Sequence, residues 1–312
     1  MTGATASSST AAEQPAGLLA TATSPVTARL LRRSAAARRV RYSRIKIVVG
    51  AIAAGIVILP TILTQLLPIP DPQAQVLSDR LKPPLSSGHL LGTDNVGRDL
   101  LSRLLHGGQV SLMIGVLAIV VSGIVGIVAG AAAGYLGGWV DSVISRLMES
   151  QLSLPLLLML LLVVALFGAS IPVITLVIAF AQWPEPARIT RALVLVEREK
   201  PYIAAARVLG LGRLAIVLKH IVPNIINQAL VVVFLLLAQA VLLESALSFL
   251  GAGVQRPFPT WGRIIADGQD YLTSAWWLVT VPGIAIALLV VGVNLLGDGL
   301  QDRPSRRRAV EQ

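Results

Sequence analysis

Residues 197–224 read EREKPYIAAARVLGLGRLAIVLKHIVPN and lie between segments apolar enough to live in lipid. The charges keep this stretch out of a bilayer, because each Arg, Lys or Glu costs roughly 2.5–3.5 kcal/mol at the membrane centre. Pro201 stands at a first-turn position, an Ala run follows, and Gly210 is a stop signal, which predicts a helix over 201–209. Past Gly212, a basic, apolar-rich piece runs over 213–219 and reaches His220 and Pro223. The pattern predicts a helix–turn–helix lying on the membrane surface, with Pro223 opening the next span. Such a hairpin is a handle for something outside the chain.

Composition agrees with a membrane setting. Of 312 residues, 54% are hydrophobic and 13% charged, and the mean hydropathy is +0.75. Soluble domains carry about 25% charged residues. There is no cysteine, so disulfides, thiolate metal sites and Cys nucleophiles are excluded. The net charge of +10 would suit a nucleic-acid partner, but the basic residues flank long apolar runs as orientation signals do. Nucleic-acid binding is not expected.

Outward from the charged stretch, six apolar runs predict six transmembrane helices, at 47–67, 111–135, 143–168, 171–191, 222–243 and 276–297. Residues 1–28 are rich in Ser, Thr and Ala and read as disordered, and 29–46 hold eight basic and no acidic residues. Residues 1–45 are therefore expected to be a disordered, basic tail. The run at 47–67 exceeds a signal-peptide core and lacks a small-x-small site before Pro68, so it reads as an uncleaved first span. The membrane domain then covers 46–303, and 304–312 form a second basic tail.

Six crossings put the basic N-terminal tail, the 183–220 loop and the basic C-terminus on one side, which the positive-inside rule assigns to the cytoplasm. The multi-pass protein is accordingly placed in the cell membrane with both termini cytoplasmic. The charge-balanced loop 68–110 and the aromatic, Gly- and Pro-containing loop 250–275 fall outside. Leu100, Leu101, Leu104 and Leu105 predict an interfacial helix within the first of these. The second is expected to be re-entrant or surface-hugging, and Gly297 and Gly299 to end the last span. Gly126 and Gly130, then Gly130 and Gly134, are spaced for close helix packing.

Four stretches carry a family resemblance: LGTDNVGRDLLSRLLHGGQVSL (91–112), GYLGGWVDSVISRLMESQLSLP (134–155), the 197–224 stretch, and LLESALSFLGAGVQRPFPTWGRIIADG (242–268) with NLLGDGLQDR (294–303). Together they resemble the second permease of the oligopeptide, dipeptide and nickel ATP-binding-cassette importer family, over about 45–303. The resemblance implies an all-α integral membrane protein with the six-helix type I importer permease fold. It implies pairing with a homologous second permease, two ATPase subunits or one fused pair, an extracytoplasmic binding protein, and import of short peptides. ATP and Mg belong to the partner ATPases, and no cofactor or metal is expected on this chain. The 197–222 segment matches the family's coupling loop through Ala204, Ala205, Ala206, Gly210 and Pro223, although Ala204 stands where the family usually has Glu. Arg207, Gly212, Arg213, Lys219 and His220 complete the expected ATPase contact.

Polar residues inside spans are costly in lipid, so Glu149, Gln151, Gln228, Gln239 and Glu244 are candidates for the translocation path. Gln228 and Gln239 share one helix face, being eleven residues apart. Inter-helix hydrogen bonding is the competing role for each. There is no G-x-x-x-x-G-K-[ST], H-E-x-x-H or G-x-S-x-G stretch, so neither nucleotide hydrolysis nor hydrolase chemistry is expected here. Nickel chelates, opines and glutathione-like solutes are alternative cargoes. An ion-coupled secondary transporter would need paired inverted repeats, and no such pair is visible.

Overall fold

The computed structural model describes residues 25–302, with side chains placed from Tyr42 onward, and among these residues the chain is helical with no strand. The first helix, α1 (Pro25–Ile62), begins inside the stretch expected to be a disordered tail. Residues 1–24 and 303–312, on which the remaining tail expectations fall, lie outside the described residues. A loop of turns with two short 3₁₀ helices, Leu63–Leu66 and Leu77–Asp79, then leads to α2 (Leu100–Leu136), whose N-cap is Asp99: its carboxylate accepts the Ser102 N–H at 2.8 Å. The amphipathic turn at 100–105 is therefore the start of α2 itself and no separate interfacial helix. Its one charge, Arg103, is neutralised in the interior, so nothing holds this turn at a water boundary.

α2 is the centre of the bundle. It packs along α6 (Pro184–Arg198) and α9 (Val222–Phe249). The glycines explain how closely. A Cβ at Gly126 would come 2.5 Å from Pro186 Cγ, and one at Gly130 only 2.3 Å from the Ala187 carbonyl oxygen. Small residues let the two backbones meet, as their spacing predicted.

Between α2 and α6 lie α3 (Gly138–Leu152), α4 (Leu156–Phe167) and α5 (Ile171–Gln182). The expected straight span at 143–168 is bent by 91° between α3 and α4. Pro155 is the cause, since it has no N–H to donate and pushes Leu154 out of helical backbone. The expected span at 171–191 is likewise divided, at Trp183, before Pro184 and Pro186. Among the described residues, four helices are long and apolar enough to cross a membrane, or five if the bent pair is one crossing, against the six expected.

The chain continues through α7 (Pro201–Val208), α8 (Arg213–Ile216) and a π-helical turn (Val217–Ile221) into α9. α10 (Trp261–Gly268) and α11 (Trp277–Gln301) complete the fold. The 250–275 stretch does not simply hug a surface: Trp261 and Ile264 of α10 are fully buried against the bundle. α11 runs through Gly297 and Gly299, which end nothing. A Cβ at Gly297 would meet Leu235 at 2.1 Å, and one at Gly299 would meet Ile47 at 2.5 Å, so both glycines serve contact with neighbouring helices.

The outside of the bundle is apolar. Ile52, Ile56, Leu59, Met113, Leu117, Ile124, Leu158 and Leu162 are all exposed. A soluble protein does not show so much contiguous apolar surface, whereas lipid favours it.

Candidate functional site

The α7–α8 hairpin stands on a small core of its own: Ala131, Val194, Ile203, Ala206, Ile216, Ile221 and Ile225. Ile203 and Ala206 are three apart and form the buried face of α7. The helix closes with a Schellman arrangement, in which the Gly210 N–H donates to Arg207 O at 3.0 Å and the Leu211 N–H to Ala206 O at 3.2 Å. Gly210 sits at φ +80° with open space around it, a conformation glycine adopts without penalty. The reversal puts Val208, Leu209 and Leu214 outside, with relative exposures of 88%, 78% and 72%. Ala204, Ala205, Arg207, Gly212, Arg213 and Lys219 are exposed beside them.

The second arm differs from the expectation. α8, the π turn and α9 form one continuous helical run, Arg213–Phe249, instead of a short surface helix followed by a separate span. Pro223 lies in the first turn of α9 but inside this run. Its ring would collide with a carbonyl four residues back in an ordinary α-helix. The wider π turn just before it, in which the Val222 N–H donates to Val217 O, accommodates that defect. His220 is in the π turn, half-buried; its carbonyl accepts from Asn224 Nδ2 at 2.6 Å, and its Nδ1 is buried with no partner among the described residues.

A polar clamp fixes the base of the hairpin. Lys200 Nζ lies 2.6 Å from Glu197 Oε2, and the Tyr202 hydroxyl donates to Glu197 Oε1. Asn224 Nδ2 donates to the Tyr202 hydroxyl at 3.1 Å. Arg198 reaches back to the Gly134 carbonyl at 2.7 Å, and the Arg207 guanidinium lies 6.0 Å from the centre of the Tyr135 ring. The clamp thus joins the ends of α6 and α2 to the starts of α7 and α9. Glu197, Tyr202 and Asn224 were not singled out from sequence; only the Glu–Lys spacing of three hinted at them.

The path candidates are scattered. Glu149 is exposed on α3, 4.0 Å from Arg146. Gln151 is a structural clamp: its Nε2 donates to Phe180 O at 2.8 Å and Ala181 O at 3.0 Å, while its Oε1 accepts from Trp183 Nε1 at 2.8 Å. Pro184 leaves the Phe180 carbonyl without its helical donor, and Gln151 supplies the replacement. Glu244 is fully buried inside the subunit, bonded to Ser111 and Ser248. Gln228 and Gln239 are both exposed, as a shared face requires, and Gln239 lines a cavity. That cavity, about 410 Å³ between α6, α9 and α11, is also lined by Glu185, Asn294 and Gln301. Glu185 was passed over because the residues from Trp183 onward were counted as loop, although it falls within the predicted 171–191 span.

The remaining polar cluster binds 71–99 to 250–275. Arg103, 3% exposed, contacts Asp94 at 2.5 Å and Asp267 at 3.0 Å. Arg98 pairs with Asp94 at 2.6 Å and Arg263 with Asp267 at 3.1 Å. Burial works to raise the Asp94 carboxyl, but Arg103 and the N–H groups of Arg98 and Val96 win and hold it below the usual range. His89 Nδ1 lies 2.8 Å from Asp99, with Asp79 at 3.3 Å from Nε2.

Comparison with known proteins was made on this framework. A family profile described as "binding-protein-dependent transport system inner membrane component" matches residues 126–310. The dipeptide transport system permease protein DppC of Escherichia coli K12 is 43% identical over 260 residues, covering 82% of this chain and 87% of that protein. The di/tripeptide transport system permease protein DppC of Pseudomonas aeruginosa UCBPP-PA14 is 42% identical over 237 residues, covering 74% and 78%.

Proposed function

Because the chain belongs to the family of inner membrane components of binding-protein-dependent transport systems, we propose that it is a permease subunit of an ATP-binding-cassette importer for short peptides. In this reading a homologous second permease completes the translocation path. Two ATPase subunits, or one fused pair, hydrolyse Mg-ATP on the cytoplasmic face, and an extracytoplasmic binding protein delivers the peptide. Both termini and the α7–α8 hairpin are cytoplasmic, and the 68–99 and 250–275 segments face the binding protein. The chain itself carries out no catalysis.

One observation carries the coupling assignment. The hairpin tip exposes Val208, Leu209 and Leu214 beside Arg207, Arg213 and Lys219, yet rests on a buried core and a polar clamp. An apolar tip on a rigid base suits a groove in another protein. Rigidity matters because a handle that bends cannot pass on a partner's motion. The π turn and Pro223 lie where the second arm enters the long helix α9, so a pull on the tip acts directly on a helix that lines the 410 Å³ cavity.

The chain has no cysteine, so a single introduced thiol is unambiguous. Leu209→Cys should crosslink to an ATPase subunit in the assembled complex, and Leu158→Cys, on the apolar exterior, should not. If neither position reaches an ATPase, the hairpin is not the docking element.

A further inference from the structure

The acidic residue on the cavity between α6, α9 and α11 has no side-chain partner among the described residues. Glu185 lines that cavity, and among the described residues it makes no ion pair and no hydrogen bond. Arg188, three residues further along α6, makes no ion pair with it either. The start of α6 favours a carboxylate through the helix dipole, but the dipole supplies no side-chain partner on the cavity side. The hydrogen-bond ladder is interrupted at the α5–α6 junction: the Trp183 N–H donates to Ala179 O and the Ala187 N–H to Trp183 O, both at 3.2 Å, but Pro184 and Pro186 have no N–H to give. Glu185 therefore stands in the first turn of α6, with its side chain exposed on the cavity.

An ionisable group within an apolar helical bundle is expensive unless it faces water or a partner charge. Glu185 is exposed on the cavity, and what else lines it suggests the charge. Its other polar side chains are the amides Gln239, Asn294 and Gln301; the rest are aliphatic, such as Ile189, Leu235 and Val290. Amides both donate and accept, so they can match a peptide unit in either orientation without reading the side chains. About 410 Å³ is the size of a small-molecule site.

We propose that this cavity is a transient subsite for the translocating solute, with Glu185 holding a primary ammonium group and the amides of Gln239 and Asn294 meeting the adjoining peptide unit. The inference rests on the peptide-import reading and deepens it: a peptide with a free N-terminus carries the required cation and amide next to each other. A single carboxylate among neutral amides also lets the solute leave, since no second charge fixes it.

The test uses the whole importer, with both permeases, the ATPases and the binding protein, in proteoliposomes supplied with a defined mixture of di- and tripeptides bearing free amino termini. Uptake per ATP hydrolysed is read by mass spectrometry of the lumen. Glu185→Gln should lower it about tenfold while ATP hydrolysis stimulated by loaded binding protein stays within twofold of wild type. Glu185→Asp should restore at least half. Unchanged uptake per ATP in Glu185→Gln overturns the proposal. So does failure of Glu185→Gln to co-purify with the second permease, which would make Glu185 an interface residue. A wild-type complex that imports none of the peptides overturns the transport reading and this subsite with it. Normal wild-type import with an indifferent Glu185→Gln overturns the subsite alone.

Discussion

Ser111 on α2 donates its hydroxyl proton to Oε2 of Glu244 on α9 at 2.8 Å, in an interior from which both residues exclude water. The other carboxylate oxygen accepts from Ser248 Oγ at 2.7 Å, and Ser248 Oγ in turn accepts from Thr260 at 3.2 Å. The Trp261 N–H completes the cluster by donating to Ser111 Oγ at 3.3 Å. One acidic side chain thus joins α2, α9 and the start of α10. Its sequence position suggested a place on the path; its surroundings make it the centre of a buried polar network.

Removing that centre should cost more than exchanging its carboxyl for an amide. Glu244→Ala strands the hydroxyls of Ser111 and Ser248, at about 1–3 kcal/mol for each buried group left unpaired. Glu244→Gln keeps the shape and can still accept from one serine. Thermal unfolding of the purified permease pair should fall by several degrees for Glu244→Ala and by clearly less for Glu244→Gln. Equal losses would show that the network contributes little.

Arg103 should be equally intolerant. It is buried between Asp94 and Asp267, residues far apart in sequence, and its loss leaves the tie between them to Arg98, which holds Asp94 at 2.6 Å but Asp267 only at 3.8 Å. Breaking a buried ion pair in this way costs roughly 3–5 kcal/mol. Arg103→Met should open both the 71–99 and 250–275 segments to limited proteolysis, and Arg103→Lys should rescue poorly because a point charge cannot serve both carboxylates. Wild-type protease resistance in Arg103→Met would contradict this account of the tie.

The same region should respond to pH through His89. The hydrogen bond it donates to Asp99 raises its pKa above the usual 6.5, with Asp79 adding to the effect against the opposing cost of burial. Lys82, followed by His89 itself, holds Asp79 below its usual range. A raised histidine stabilises fully below about pH 6.5, and that contribution is lost as pH rises through the folded-state value. The lowered Asp79 and Asp94 stabilise above their usual range and lose this as pH falls through their folded-state values. Amide exchange in 79–99 should therefore be slow near pH 6 and, after correction for intrinsic rates, faster above neutrality. His89→Gln should flatten that alkaline rise. A wild-type profile without the rise would remove His89 from the account.

The packing of α2 on α6 gives a sharper test. A side chain at Gly130 has nowhere to go, because its first carbon would lie 2.3 Å from a backbone oxygen. Gly130→Leu should abolish accumulation of the assembled permease in the membrane. Gly55→Leu, at a helical glycine with no atom within 4 Å of its added carbon, should accumulate normally. Normal levels of both variants would mean that α2 and α6 are not so close.

What could be read from the sequence divides along physical lines. Apolar runs report length and burial against lipid, so the existence of the long helices was legible, as was the close packing at Gly126 and Gly130. Breaks were less so. Pro155, Pro184 and Pro186 each disturb a helix, but whether the defect bends a span or is repaired depends on a donor elsewhere, here Gln151 for the Phe180 carbonyl. Arg103 and Asp267 are 164 residues apart, and nothing local in either predicts their contact. In the hairpin, the Gly210 turn was legible because a left-handed residue needs glycine. The clamp of Glu197, Tyr202 and Asn224 was not, because it is assembled from three elements.

The central claim is that the α7–α8 hairpin carries work from a separate ATPase into the membrane helices. It is tested most directly by measuring peptide uptake and ATP hydrolysis together, in vesicles holding the full importer with Gly210→Trp or Gly210→Asn. Asn tolerates the left-handed backbone at Gly210, whereas Trp adds both strain and bulk at the tip. The account predicts that Gly210→Asn imports close to normally, and that Gly210→Trp inserts and hydrolyses ATP but imports almost nothing. Uptake per ATP at the wild-type level in Gly210→Trp would contradict it.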